Sequence, residues 1–292
     1  MTRGLIPRRL ATDTPPPTSL PPPTQSSARP APASSALIAI SIGPARRAAA
    51  VRHSTTPSAE VREFSPARLD GPTVLAGFVG AGLVGPLAVG HIVSSMGFSE
   101  FACMRSRHIP PAAVFLRGHL QHPFRLYAHE ASNTCAIVCE ITLPVEGIHD
   151  IVSATFEWLS SRGASELVVL DGIAGDSHDG RAYYAAERDT HHADAVPGIS
   201  MISRGYIAGI SGGLLDECLL HDVRGSALLV RANSEAADPA AAATLVNAVN
   251  SLHGTSVDAS PLLKDAGAIE DTYSELSRRY ARHRGEARGM YM

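Results

Sequence analysis

Thr73-Val74-Leu75-Ala76-Gly77-Phe78-Val79-Gly80-Ala81-Gly82-Leu83-Val84-Gly85 is the stretch whose reading decides the fold. Thr73 to Ala76 read as a short, largely apolar strand. Glycines at 77, 80, 82 and 85 break that strand off in a turn, and the apolar run from Leu83 to Met96 reads as a buried helix. A buried strand delivered through a glycine turn into a buried helix is the opening of a sheet with helices laid on it.

The same alternation runs on. Strand patterns recur at Ala112–Leu116, Phe124–Ala128 and Thr134–Cys139, separated by glycine or polar turns. Residues 146–162 predict an amphipathic helix, with Ile148, Ile151, Val152, Phe156 and Leu159 near i, i+3, i+4 spacing and Gly163 as its stop. Leu167–Leu170 reads as a doubly buried strand, the segment from Asp171 to Arg181 as a polar loop, Leu214–Leu220 as a helix and Ala227–Val230 as another buried strand. Asp238-Pro239 places an N-cap and an N1 proline before an alanine-rich helix to about Leu252, and Ser260-Pro261 repeats that signal for a last helix to about Arg282. The expected class is α/β: a mixed, mostly parallel sheet covered by helices on both faces.

Outside this core the composition changes. Twelve of the 21 prolines fall within residues 1–66, a Pro/Ala/Ser/Arg-rich extension with too little apolar surface to offset its ordering entropy and therefore expected to be disordered. The folded part is expected to comprise a domain over 69–257, a C-terminal helix over 258–284 and a tail over 285–292. Residues 1–66 carry eight Arg against three acids, whereas the remainder carries 17 basic and 25 acidic residues. An acidic folded part argues against nucleic-acid binding, which needs a basic surface for the phosphates. The extension has the Arg/Ser-rich, acid-poor character of a transit peptide, though a solvated arm or a mis-assigned start would read the same way. Its apolar run Ala36–Ile40 is too short and too late for a signal peptide. No apolar run reaches the ~18 residues of a membrane helix. Cys103, Cys135, Cys139 and Cys218 form no C-x-x-C pair and read as buried, reduced thiols of a cytoplasmic protein.

Several constellations have the form of chemistry. Gly80-x-Gly82-x-x-Gly85, with Glu100 twenty residues on, formally matches a dinucleotide fingerprint and offers a nucleotide- or nucleoside-binding alternative. Glu100, however, falls where a second strand begins rather than where it ends. Gly209-Ile210-Ser211-Gly212-Gly213 matches the nucleophile elbow of α/β hydrolases, and Asp238 and His253 follow in the right order for a triad with Ser211. Against this, Asp238 already serves as a helix cap. Asp176, His178, Asp179, His191, His192 and Asp194 crowd one segment but lack helical metal-ligand spacing, so they read as a polar surface loop, and no metal or cofactor is expected. Glu140 closes a strand with no second carboxylate placed beside it by spacing and receives no catalytic role. The chain ends Met290-Tyr291-Met292 behind a glycine-flanked spacer. Such a tail can insert an apolar side chain and an aromatic ring into a pocket while its carboxylate meets a lysine.

Taken together, residues from about Pro72 to Tyr280 resemble the PAC2 family of proteasome assembly chaperones, most closely its archaeal members. The resemblance is carried by Gly77-Phe78-Val79-Gly80-Ala81-Gly82-Leu83-Val84-Gly85, Ile109-Pro110-Pro111, Glu140-Ile141-Thr142-Leu143-Pro144, Gly209-Ile210-Ser211-Gly212-Gly213-Leu214-Leu215, Asp238-Pro239-Ala240-Ala241 and Pro261-Leu262-Leu263. It implies a three-layer α/β/α sandwich of the nucleoside-phosphorylase type assembled as a homo-oligomer. It also implies that Gly77, Gly80, Gly82, Gly85, Gly209, Gly212 and Gly213 are structural, and that the chain is a non-catalytic assembly chaperone or ATP-independent activator. By the same resemblance, Met290, Tyr291 and Met292 dock between α subunits of the proteasome core. Val79, where the family has Pro, and the long N-terminal extension depart from the pattern.

Overall fold

The computed structural model describes residues 57–267, except 117, 176, 177, 189, 190, 222 and 265. Residues 1–56, most of the last expected helix and the 285–292 tail lie outside the described residues. In chain order the elements are β1 (Ala59–Glu63), β2 (Thr73–Gly77), α1 (Val84–Met96), β3 (Ser99–Ser106), β4 (Val114–Leu116), β5 (His119–Gln121), β6 (Phe124–His129), β7 (Thr134–Cys139) and α2 (Val145–Ser161). They continue with β8 (Glu166–Gly175), β9 (Ala182–Ala186), β10 (Ile199–Met201), α3 (Gly209–Leu220), β11 (Arg224–Asn233), α4 (Pro239–His253) and α5 (Ser260–Lys264).

Nine strands form one sheet in the order β1-β3-β6-β7-β2-β8-β11-β9-β10, and β4 pairs with β5 in a separate ribbon. Its centre, β7-β2-β8-β11, is parallel, as strand–helix alternation demands. Antiparallel arms extend it on both sides, β6-β3-β1 from β7 and β9 from β11, with β10 parallel to β9 at the far edge.

Strand periodicity makes the sandwich three-layered. On β8, Leu167 and Val169 join Ile151, Leu159 and Leu214 in the core beneath α2 and α3. Val168 and Leu170 point the other way, into the core of Val89, Ile92, Leu245 and Val246 beneath α1 and α4. Both faces are therefore dry, which is why the central strands read as unbroken apolar runs. The start of α4 follows the expected signal: the Asp238 carboxylate accepts from Ala241 N at 2.9 Å, with Pro239 at the first helical position.

Several stretches differ from the sequence reading, β3 and β5 among them, which are absent from its series of strand patterns. Ala59–Glu63, inside the segment expected to be disordered, is an edge strand antiparallel to β3. Glu63 holds it down, accepting from Trp158 Nε1 at 2.8 Å and pairing with Arg162 at the end of α2. The first part of the supposed loop, Asp171 to Gly175, is instead the second half of β8, whereas 178–181 are loop as expected. That half stays a strand through polar Asp171 and two glycines because β11 pairs with β8 residue by residue, Arg224 with Glu166 through Asn233 with Gly175. The strands β9 and β10, five and three residues long, are too short for a period to show. Helix α3 begins at Gly209, five residues before the apolar run that announced it.

All four cysteines are free and buried, and Cys135 and Cys139 share one face of β7. Burial pushes the thiols of Cys139 and Cys218 up to about 12.

Burial alone would raise the pKa of Glu63, but hydrogen bonds from Trp158 and Arg162 outweigh it and hold the carboxyl below its ordinary value. A depressed folded pKa contributes stability above the unfolded pKa that is lost as pH falls through the folded one. Glu63→Gln is therefore expected to lower stability by about 0.5–1 kcal/mol at pH 7, the range of a partly exposed pair. The gap to the parent protein should close below the carboxylate range, as read by urea denaturation at pH 7 and pH 3.

Candidate functional site

In open α/β sheets the carboxyl ends of the central strands form the crevice that takes ligands. Here that crevice is occupied by the chain itself. A methyl group at Gly85 would lie 2.5 Å from the Leu170 carbonyl oxygen, and one at Gly77 would lie 2.5 Å from the Gly85 carbonyl carbon. The first turn of α1 thus rests backbone against backbone on β2 and β8. Between strand and helix the chain makes a single 3-10 turn, Ala81–Leu83, with Gly82 at φ 62. Gly82 has no room for a side chain, since Ala232 Cβ and Asp238 Cβ would be 2.8 and 2.9 Å from it, and its carbonyl accepts from Asp238 N at 2.8 Å. Beside Gly80, where a pyrophosphate would seat in a dinucleotide fold, stands the Asp171 carboxylate. Glu100 is on β3, separated from β2 by β6 and β7, so the fingerprint's acid is not next to its glycines.

Ser211 is in the same place and equally committed. It is 2 % exposed, and its hydroxyl hydrogen-bonds to Asp171, whose Oδ1 also accepts from Gly172 N at 2.7 Å. Burial raises the Asp171 pKa, and these hydrogen bonds work against the rise. Asp238 is spent on capping α4. His253 ends α4 beside Glu166, the first residue of β8, five positions upstream of Asp171 and so about 16 Å away along the strand. Ser211, Asp238 and His253 do not converge, and the hydrolase order is a feature of sequence alone. Gly212 lies hard against the Ile207 carbonyl and Gly213 against Val152 of α2, which brings α3 close to α2.

The histidine- and aspartate-rich segment divides. Asp176 lies outside the described residues. The His178 ring meets Thr244 Oγ1 at 2.9 Å, and Asp179 accepts from Tyr183 at 2.6 Å and pairs with Arg231 at 3.3 Å. Those are surface contacts, as expected. His191 departs from the expectation of a surface loop: its Nε2 lies 2.7 Å from Glu166 Oε1 and its ring packs edge-on to His253. The partners are 25 and 62 residues away in sequence, so no local spacing announced them.

Glu140 has its counterpart in a residue the sequence reading passed over. Arg125, 2 % exposed in the middle of an apolar strand, donates to Glu140 Oε2, Tyr127 Oη and the His122 carbonyl, each at 2.7 Å. Tyr127 in turn donates to Gln121 at 3.0 Å, and burial pushes its hydroxyl up to about 12. Burial works against the Arg125 charge, but Glu140 and Tyr127 more than compensate and keep the guanidinium ionised. The signal available in sequence was a lone arginine inside a strand, which demands a buried acid. This network locks the antiparallel arm to the parallel centre; it has no nucleophile and no open face.

Met290, Tyr291 and Met292 lie outside the described residues.

Comparison with known proteins places these features in a lineage. The PAC2 family model matches residues 74–277. A Thermoplasma acidophilum protein of unknown function is 28 % identical with a TM-score of 0.69, over 75 % of this chain and 91 % of its own. Pyrococcus furiosus PbaA, an archaeal homolog of proteasome-assembly chaperone, is 25 % identical with a TM-score of 0.67, over 77 % of this chain and 99 % of its own. Pyrococcus furiosus PbaB, an archaeal proteasome activator, is 18 % identical with a TM-score of 0.64, over 76 % and 99 %, and shares the fold.

Two pairs of variants probe the packing. Gly85→Ala should destabilise by at least about 1–3 kcal/mol, because the clash is with fixed backbone. Gly90→Ala on the same helix, with nothing within 4 Å, should stabilise by about 0.5–1 kcal/mol. Arg125→Met should cost about 3–5 kcal/mol by stranding Glu140, whereas the double variant with Glu140→Leu should recover most of that loss. Chemical denaturation measures all four.

Proposed function

This chain belongs to the PAC2 family, and we propose that it is a non-catalytic proteasome assembly chaperone or ATP-independent activator that acts through its C-terminal tail. The observation that carries the reading is that the chain's own atoms occupy both of its catalytic-looking glycine motifs. Asp171 stands against Gly80, and Ser211 is buried on that same carboxyl. A closed crevice favours partner binding over small-molecule chemistry at these motifs. The relative PbaA, described as a homolog of proteasome-assembly chaperone, supports the choice of partner.

In this reading Met290 fills an apolar entrance between neighbouring α subunits of the core, Tyr291 anchors with little rotamer entropy to lose, and the Met292 carboxylate meets a lysine. A single three-residue contact is weak. A homo-oligomer presenting several tails to one end ring would bind far more tightly, because each later docking is intramolecular. The setting is cytoplasmic.

Removal of residues 290–292, or Tyr291→Ala, is expected to abolish capture of α subunits from the native host's lysate while leaving the melting temperature of the domain unchanged. Undiminished capture by the truncated protein would overturn the tail's role.

A further inference from the structure

At the opposite end of β8 from the closed crevice, three side chains from three elements converge. Glu166 opens β8, His191 comes from the connection between β9 and β10, and His253 ends α4. One ligand atom from each lies within 4.8 Å of the other two. The Glu166 side chain is 5 % exposed and that of His191 is 18 % exposed, so this is an interior cluster rather than a surface acidic patch.

The hydrogen bonding of the cluster is incomplete. The 2.7 Å contact between His191 Nε2 and Glu166 Oε1 accounts for one pair. His253 Nε2 is buried with no hydrogen-bond partner, and so is Ser226 Oγ on β11. Beside the cluster, Glu166 and Ser226, together with Arg188 and Arg224 but neither histidine, line a cavity of about 20 Å³, enough for a single water. A buried, unpaired ring nitrogen costs roughly what a lost hydrogen bond costs, and it invites a ligand.

We propose that Glu166, His191 and His253 form a binding site for a single divalent transition-metal ion, Zn(II) by its donor set, with water as a fourth ligand. Two imidazoles and one carboxylate are a recurrent zinc set, and nitrogen donors select against magnesium and calcium. The geometry needs little change. Ligands at about 2.0–2.1 Å from a tetrahedral ion lie about 3.3 Å apart, so the present hydrogen-bonded pair opens slightly and the widest pair closes. The ion would fasten the β9–β10 connection and the end of α4 to the first residue of β8. It would sit about 16 Å from the Asp171–Ser211 end of that strand and has no part in the tail's action.

The test uses the full-length chain, stripped with chelator and then titrated with ZnCl₂ and with CoCl₂. About one equivalent of zinc should be retained through gel filtration, and Co(II) should give the visible d–d absorption of a low-coordinate nitrogen–oxygen site. Glu166→Gln and His253→Ala should each weaken binding at least ~100-fold, at or beyond the upper end of the loss from a removed supporting group. His178→Ala, at the far end of the central strands beside Arg231 and Thr244, should leave it intact. Should Glu166→Gln fail to fold, His191→Gln on the more exposed ligand gives the same reading. Substoichiometric uptake by the stripped protein, or stoichiometric uptake that survives His253→Ala, overturns the site.

Discussion

The architecture depends on a missing side chain. Because Gly77 and Gly85 carry no Cβ, the first turn of α1 can settle onto the backbone of β2 and β8. That seating brings Val84, Leu87, Ala88 and Ile92 down onto the sheet and sets the surface against which alanine-rich α4 packs. The start of α4 is fastened to the same turn, since Asp238 N binds the Gly82 carbonyl while its carboxylate caps the helix. Two helices and three strand ends thus meet around one glycine turn. A single contact of this kind accounts for the glycines at these spacings by packing alone.

The doubly buried strands, the two capped or stopped helices and the glycine turn were legible because each is a local event. Asp238-Pro239 caps where it should, Gly163 takes a positive φ after α2, and Leu167–Leu170 is as dry as its composition says. What the sequence hid was decided elsewhere in the chain. The second half of β8 looks like a loop because its strand character comes from β11, sixty residues on. The strand β1 looks like part of a disordered arm because its anchors are Trp158 and Arg162. Arg125 and Glu140, and likewise Glu166, His191 and His253, acquire partners only through the topology of the sheet. The catalytic-looking motifs stayed ambiguous for the complementary reason. G-x-S-x-G and G-x-G-x-x-G record a backbone shape, and that shape serves close packing as readily as chemistry.

The polar interior is distributed with a pattern. Asp171 with Ser211 closes one end of the central strands, the Glu166–histidine cluster lies at the other, and Arg125 with Glu140 ties down the antiparallel arm. Each group joins elements that apolar packing alone would leave free to slide, and each is accessible to little but its neighbours. The chain's family membership is what directs the proposed function toward the Met290-Tyr291-Met292 ending.

The four hidden thiols add a property unrelated to assembly. Cys103 is on β3 of the antiparallel arm, Cys135 and Cys139 on the central β7, and Cys218 on α3, all buried and none in a disulfide. Buried thiols with raised pKa values are poor nucleophiles, so the folded molecule is expected to react slowly with alkylating reagents and mild oxidants. Each becomes reactive only when its own layer opens. The chain therefore carries a set of built-in labels, distributed over arm, centre and flanking helix, that record which part of the sandwich comes apart first.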